Sequence, residues 1–400
     1  MRIGMMTDIY KPHISGVTNY IALNKAVLSK QGHEVYVFTF GNADYMDDEP
    51  DVYRSRGLPL MDTCWHLNLG YSREARMKLI TMDIVHVHHP FLSGSIALRY
   101  CRPRGIPIVF TNHTRYDLYT RAYIPALPEF VGITALEAVM PVFCRACDLV
   151  IAPSPGMKTV LEGFGVITKI DVVPNGVDLK PFKKPANPRD RAEFGFRPED
   201  VILIYVGRVG PEKNIPFLLR SFAGAAQVYK NIGLVIVGDG LEKDNLQDRV
   251  RHMQLDDSVH FTGMVPYDQL PGYLAMADVF VTASVTEVHP LSVIEAMASG
   301  LPVLGIQSPG VGDTVKDGAT GYLAPDQDLA AFTAKMIRLI TDGETRKALG
   351  RAAALAAEDY SIEHTSLLMI DRYKAVIKQA RTNRRGWRAR WVRMMDKWRN

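Results

Sequence analysis

Short apolar runs alternate along this chain with stretches in which apolar residues return every three or four positions. Ile3–Met6, Glu34–Phe38, Ile84–His88, Ile106–Thr111 and Leu149–Ala152 are mostly apolar runs of strand length. Asn19–Lys30, between the first two, carries a helical pattern. Strands that alternate with helices and lack a polar face predict a parallel sheet covered on both sides. A polar, Pro-containing stretch, KKPANPRDRAEFGFRPED, then interrupts the pattern as a linker would. The pattern restarts with Val201–Val206, Leu234–Val237, Val259–Thr262, Val279–Ala283 and Pro302–Gly305. Ser361–Ala380 reads as a closing amphipathic helix. The expected organisation is an α/β protein in two parts: a domain over 1–182, a linker over 183–199, a second domain over 200–360, a helix over 361–380 and a tail over 381–400.

Composition narrows the class. Four hundred residues, 47% of them hydrophobic and 22% charged, suit a two-domain globular protein with sizeable cores. No apolar run reaches 18 residues, and MRIGMMTDIY reads as a buried strand rather than a signal peptide. Four irregularly spaced cysteines, Cys64, Cys101, Cys144 and Cys147, point to a reducing cytoplasm and structural thiols. The net charge of +4 hides an asymmetry, because residues 381–400 hold eight Arg or Lys against one Asp. Trp387, Trp391 and Trp398 fall within about 40° of one another on a helix, and Arg388 and Arg393 belong to its basic remainder. A basic helix with a Trp stripe is the pattern of a segment lying in an anionic membrane interface, the alternative being a tail that packs on its own protein. No recognition module for nucleic acid is present.

The most informative stretch is ASVTEVHPLSVIEAMASGLPVLG, from Ala283 to Gly305. A strand-like run meets a short loop and then the helix-forming LSVIEAMAS, closed by Gly300. Strand, loop and helix N-terminus form the arrangement at which α/β proteins bind phosphates, since backbone N–H groups point out of the helix start. Glu287 and Glu295 sit in that loop and helix, eight positions apart, placed to read hydroxyls on either side of such a phosphate. Arg208 and Lys213 follow the strand VILIYVG, and a guanidinium with an ammonium suits a diphosphate.

These segments resemble the family 4 retaining glycosyltransferases of the GT-B fold. TEVHPLSVIEAMASGLPV looks like their E-x7-E motif, YVGRVGPEKN like their diphosphate-binding segment, and MRIGMMTDIYKPHISGVTNYI like their opening strand and Gly-rich loop. VIVGDG and FTGMVPYDQLPGYLAMADVFV resemble the stretches between. The resemblance implies two Rossmann-like domains facing across a cleft, with the closing helix crossing back to the first. It implies a metal-independent retaining hexosyltransferase that needs no cofactor. Arg208, Lys213, Gly16 and the amides of Leu291 and Ser292 would bind the donor diphosphate. Glu295 would take the nucleotide ribose, while Glu287 and His113 would serve catalysis at the transferred sugar. The chain departs from the family in having Ser15–Gly16 where two glycines are usual, and Pro290 where a glycine is common. His289 reads as an exposed loop residue or a substrate contact.

NHTRYDLYTRAYIP is similar to the branch containing bacterial diacylglycerol glucosyltransferases. Tyr116, Tyr119 and Tyr123 would line an acceptor channel there, or belong to the core. The leading expectation is therefore transfer of glucose from a nucleotide sugar, UDP-glucose, to a membrane lipid such as diacylglycerol. The enzyme would be cytoplasmic and held at the inner face of the membrane. A mannosyl or other transfer to a soluble or polyprenyl-linked acceptor, with GDP-mannose as a possible donor, is the alternative, and a sugar-nucleotide epimerase the alternative of another class. His86, His88 and His89 alternate at a strand end without a carboxylate partner, and Asp326–Gln327–Asp328 reads as a surface loop. Neither predicts a metal site.

Overall fold

The computed structural model describes residues 1–13, 15–42, 45–59, 66–67, 70–118 and 129–399; the side chains of 59, 66–67, 129–135 and 384–399 lie outside the description. Two parallel sheets organise it. The first contains β1 (Arg2–Met6), β2 (Glu34–Gly41), β3 (Val52–Arg56), β6 (Ile84–Val87), β7 (Ile108–Thr111), β8 (Leu149–Ala152) and β9 (Ile170–Val172) in the order 3-2-1-6-7-8-9. The second contains β10 (Val201–Val206), β11 (Ile232–Val237), β12 (Val259–Gly263), β13 (Val279–Val281), β14 (Val303–Ile306) and β15 (Gly321–Ala324) in the order 12-11-10-13-14-15. A two-residue antiparallel pair, β4 (Leu58–Pro59) and β5 (His66–Leu67), stands apart.

The strands read as apolar runs because both faces of each sheet are covered. Leu203 and Tyr205 join one apolar cluster while Ile202 and Ile204 join another on the opposite face. In each sheet the strand order reverses beside the first strand, at β1/β6 and at β10/β13. Loops leaving the carboxyl ends at such a reversal diverge and open a crevice where ligands bind.

The polar stretch at 183–199 is packed rather than loose. Asp190 and Glu193 form a capping box on the 3₁₀ turn Arg191–Phe194. The Arg191 side chain donates to the carbonyl of Met276 and pairs with Asp278, and Phe196 is buried. The closing helix and the tail are one continuous helix, Ile362–Arg399, in place of the two separate elements expected from sequence. Met369, Ile370, Tyr373, Val376 and Ile377 form its buried stripe and pack with Tyr20 and Ile21 against the first sheet. Each large apolar side chain so buried stabilises the crossing by roughly 1.5–3 kcal/mol.

Candidate active site

Beyond β10 the chain turns tightly. Gly207 allows the Tyr205 hydroxyl to tuck under the loop, where it donates to the carbonyl of Arg208 at 2.9 Å; a Cβ on Gly207 would lie 2.8 Å from that hydroxyl. A 3₁₀ turn, Pro211–Lys213, ends at Asn214, whose left-handed φ of 51° launches the helix Ile215–Val228. The turn aims Lys213 at the neighbouring loop beyond β13, where its Nζ meets Glu287 Oε1 at 2.6 Å. The pair is largely buried, with the side chains 13% and 22% exposed. Arg208 stays more open and stands 3.8 Å from the buried carboxylate of Glu212. The VIVGDG backbone presses against this loop, since a Cβ on Gly238 would sit 1.9 Å from the Gly207 carbonyl oxygen.

The Glu287 loop is fixed on several sides. The Glu287 carbonyl accepts from the amide of Gly310 at 3.1 Å, and Val288 packs into the core of the first half. Burial pushes the Glu287 carboxyl up, but the Lys213 charge, its hydrogen bond and one from Ser284 outweigh this and hold it below the usual range. The helix Leu291–Ala298 follows, with Pro290 as an N-cap that offers no side-chain bond. Among the described residues nothing accepts from the amides of Leu291 and Ser292, so both point out of the helix start unsatisfied. One turn in, Glu295 is buried at 3% exposure and accepts from the Tyr267 hydroxyl at 2.8 Å. Burial drives its carboxyl up to about 7, with Tyr267 pulling the other way. Glu287 is therefore ionised at neutral pH, while Glu295 titrates close to it.

His289 is a correction. The residue is buried, not exposed, with its ring edge-on to Tyr360 at 5.0 Å and its carbonyl accepting from Asn175. It is folded inward with its neighbours, since Val288 belongs to the core and Pro290 is buried as well.

From the first half, the loop beyond β1 ends at Ser15, whose side chain caps the helix Gly16–Lys30 by accepting from the Thr18 amide. Gly16 is thus the first helical residue, three positions earlier than the pattern indicated, and a Cβ there would meet nothing. His13 lies close enough to Arg208 that burial, and then that positive charge, lower its affinity for a proton. Loops from both sheets therefore converge. His113 emerges beyond β7, with Nε2 3.0 Å from His88 Nδ1 and its ring 4.8 Å from that of Tyr20. Burial, then the neighbouring histidines, keep it neutral. Tyr116 packs on the core beside Phe91, whereas Tyr119 and Tyr123 lie outside the described residues. The side chains of Trp387, Trp391, Trp398, Arg388 and Arg393 do too, although their backbone is helical. Tyr267 escaped sequence reasoning because only the sheet brings its segment to Glu295, Glu212 and His13 lay unremarked inside the quoted motifs, and His88 was weighed only as a metal ligand.

Comparisons with known proteins bear on the family and the fold. The Glycosyltransferase Family 4 profile matches residues 14–181, and that of Glycosyl transferases group 1 matches residues 186–355. The chain belongs to the family 4 glycosyltransferases. Such an enzyme takes its sugar from a nucleotide donor, and the family is a retaining one. The chain is 29% identical to the alpha-monoglucosyldiacylglycerol synthase of Streptococcus pneumoniae, over 90% of this chain and 83% of that one. It is 28% identical to the synthase of the same name from Acholeplasma laidlawii, over 91% and 94%. A sucrose-phosphate synthase of Thermosynechococcus elongatus superposes with a TM-score of 0.77 at 22% identity, over 94% of this chain and 99% of that one, and shares the GT-B fold.

Two other motifs in this glycosyltransferase are structural. Asp328 caps the helix Leu329–Thr341 by accepting from the Ala331 amide, and Cys101, Cys144 and Cys147 are buried thiols. Among the described residues no three His, Cys, Asp or Glu side chains are grouped to hold a metal, and no helix is long and apolar enough to cross a membrane.

Proposed function

We propose that this glycosyltransferase moves glucose from UDP-glucose to a membrane lipid such as diacylglycerol, with retention and without a metal. The observation that carries the reading is the Lys213–Glu287 pair at the β10/β13 reversal, with Arg208 beside it. In this reading residues 200–360 hold the donor and residues 1–182 the acceptor. Arg208, Lys213 and the amides of Leu291 and Ser292 grip the diphosphate, Gly16 leaves room for it, and Glu295 takes the ribose. Glu287 and His113 flank the sugar.

As the anomeric carbon–oxygen bond breaks, its electron pair passes to the phosphate, and Arg208 and Lys213 stabilise the charge. Preorganised charges in a water-poor site make this the largest contribution to rate. The acceptor hydroxyl attacks the same face, and its proton goes to the departing phosphate oxygen. Glu287, held ionised by Lys213, stabilises the positive character that builds on the sugar ring.

The lipid acceptor rests on the names of the two synthases and on the basic, Trp-bearing end of the last helix, which would hold the enzyme on the cytoplasmic face of an anionic membrane. Relatives called D-inositol 3-phosphate glycosyltransferase, one 27% identical over 90% of the chain, support a soluble acceptor as the second reading. The test is incubation with UDP-glucose or GDP-mannose and diacylglycerol-containing vesicles, followed by mass spectrometry of the lipid. A monoglucosyl lipid supports the proposal. Turnover only with a soluble acceptor would move the assignment to the second reading, and epimer formation without any acceptor would remove it from transferases.

A further inference from the structure

We propose that His88 is a positioning residue for His113: it fixes His113 as the neutral tautomer with its proton on Nδ1, so that the cleft is offered a permanent hydrogen-bond donor. The inference rests on the reading that His113 meets the donor sugar.

The two rings are joined by a single bond, His88 Nδ1 to His113 Nε2 at 3.0 Å. One nitrogen must donate and the other accept, because both rings are neutral: burial first, and then their histidine neighbours, lower the proton affinity of each. The other nitrogen of His88, Nε2, is buried and has no hydrogen-bond partner. If His113 donated, His88 would carry its proton on Nε2 and bury an orphaned N–H, the rarer and costlier defect. If His88 donates, what remains at Nε2 is only a bare lone pair. The lower-cost arrangement puts the His88 proton on Nδ1, which makes His113 Nε2 an acceptor and places the His113 proton on Nδ1. Among the described residues no hydrogen bond is made by that atom, and His113 is only half-buried.

His88 is held so that it cannot turn away. The His86 ring lies 4.2 Å from it. His86 is itself locked, with Nδ1 at 2.6 Å from the Tyr373 hydroxyl and Nε2 at 2.6 Å from Thr111 Oγ1. Tyr20 closes the opposite side, at 5.6 Å from His88 and 4.8 Å from His113. Because Tyr373 belongs to the closing helix, that helix supports the donor through two imidazoles. A fixed tautomer matters because a histidine whose proton wanders offers a donor for only part of the time.

Long-range ¹⁵N–¹H spectra of the full chain with labelled histidine report the tautomer directly, with the His113 signals assigned by their loss in His113→Asn. The wild type should show protonated Nδ1 and bare Nε2. His88→Leu should give a mixture of tautomers and lower kcat about tenfold, as expected for a misplaced transition-state donor, while the donor KM moves less than threefold. His88→Asn, which keeps a donor there, should restore most of the rate. A wild-type His113 protonated on Nε2 overturns the proposal, and that spectrum needs no variant to fold. An unchanged tautomer and kcat in His88→Leu overturns it as well. Full turnover by His113→Ala would instead refute the sugar contact and leave the tautomer result standing.

Discussion

At the scale of single residues, two carboxylates of one loop and helix are shifted in opposite directions. Lys213 keeps Glu287 ionised against the cost of burial, so Lys213→Met removes the proposed diphosphate ligand and strands a partly buried anion. Turnover should fall by about 10²–10³, the usual effect of losing one preorganised charge. Stability should drop by about 1–3 kcal/mol in denaturant titration, the cost of an unmatched buried group. Glu295 behaves differently, because burial raises it to about 7. It loses its proton as pH rises through neutrality and becomes a pure acceptor, as its proposed role at the ribose hydroxyls requires. UDP-glucose should therefore bind more tightly at pH 8 than at pH 6 in calorimetry, and Glu295→Gln should flatten that slope. An unchanged slope in the variant would remove Glu295 from the nucleotide site.

At the scale of elements, capping and close approach set the geometry. Ser15→Ala should cost about 1 kcal/mol in denaturant titration by uncapping the helix whose start faces the crevice. Gly156, on the first half, donates its amide to Asp313 Oδ2 on the second at 2.6 Å, and a Cβ would lie 2.7 Å from that oxygen and 2.8 Å from Pro309 Cα. Gly156→Ala should thus wedge the halves apart, raising the donor KM and lowering the melting temperature. Sequence showed the central strands well, β8 and β10 to the residue, because burial on both faces leaves an unbroken apolar run. It did not show β3, an edge strand reading VYRSR, or β9, with only three residues, because edge strands need not be uniformly apolar. Arg208, Lys213, Glu287 and Glu295 were legible as motifs. Tyr267 was not, since its bond to Glu295 spans segments joined only through the sheet.

At the scale of the whole molecule, one helix from Ile362 to Arg399 ties the first half to a strongly basic terminus. Removing residues 381–400 should abolish sedimentation with anionic vesicles while leaving nucleotide binding intact; unchanged sedimentation would refute the anchor. The central claim is that loops from the β10/β13 reversal, closed by the first half, grip a nucleotide-linked diphosphate. Calorimetric titration of UDP-glucose into the wild type and into an Arg208→Ala/Lys213→Ala double variant tests it most directly. Binding should be saturable and weaken by about 100-fold or more in the double variant, consistent with losing two charge-assisted contacts, with the circular dichroism unchanged. Equal affinity in the two proteins would contradict it.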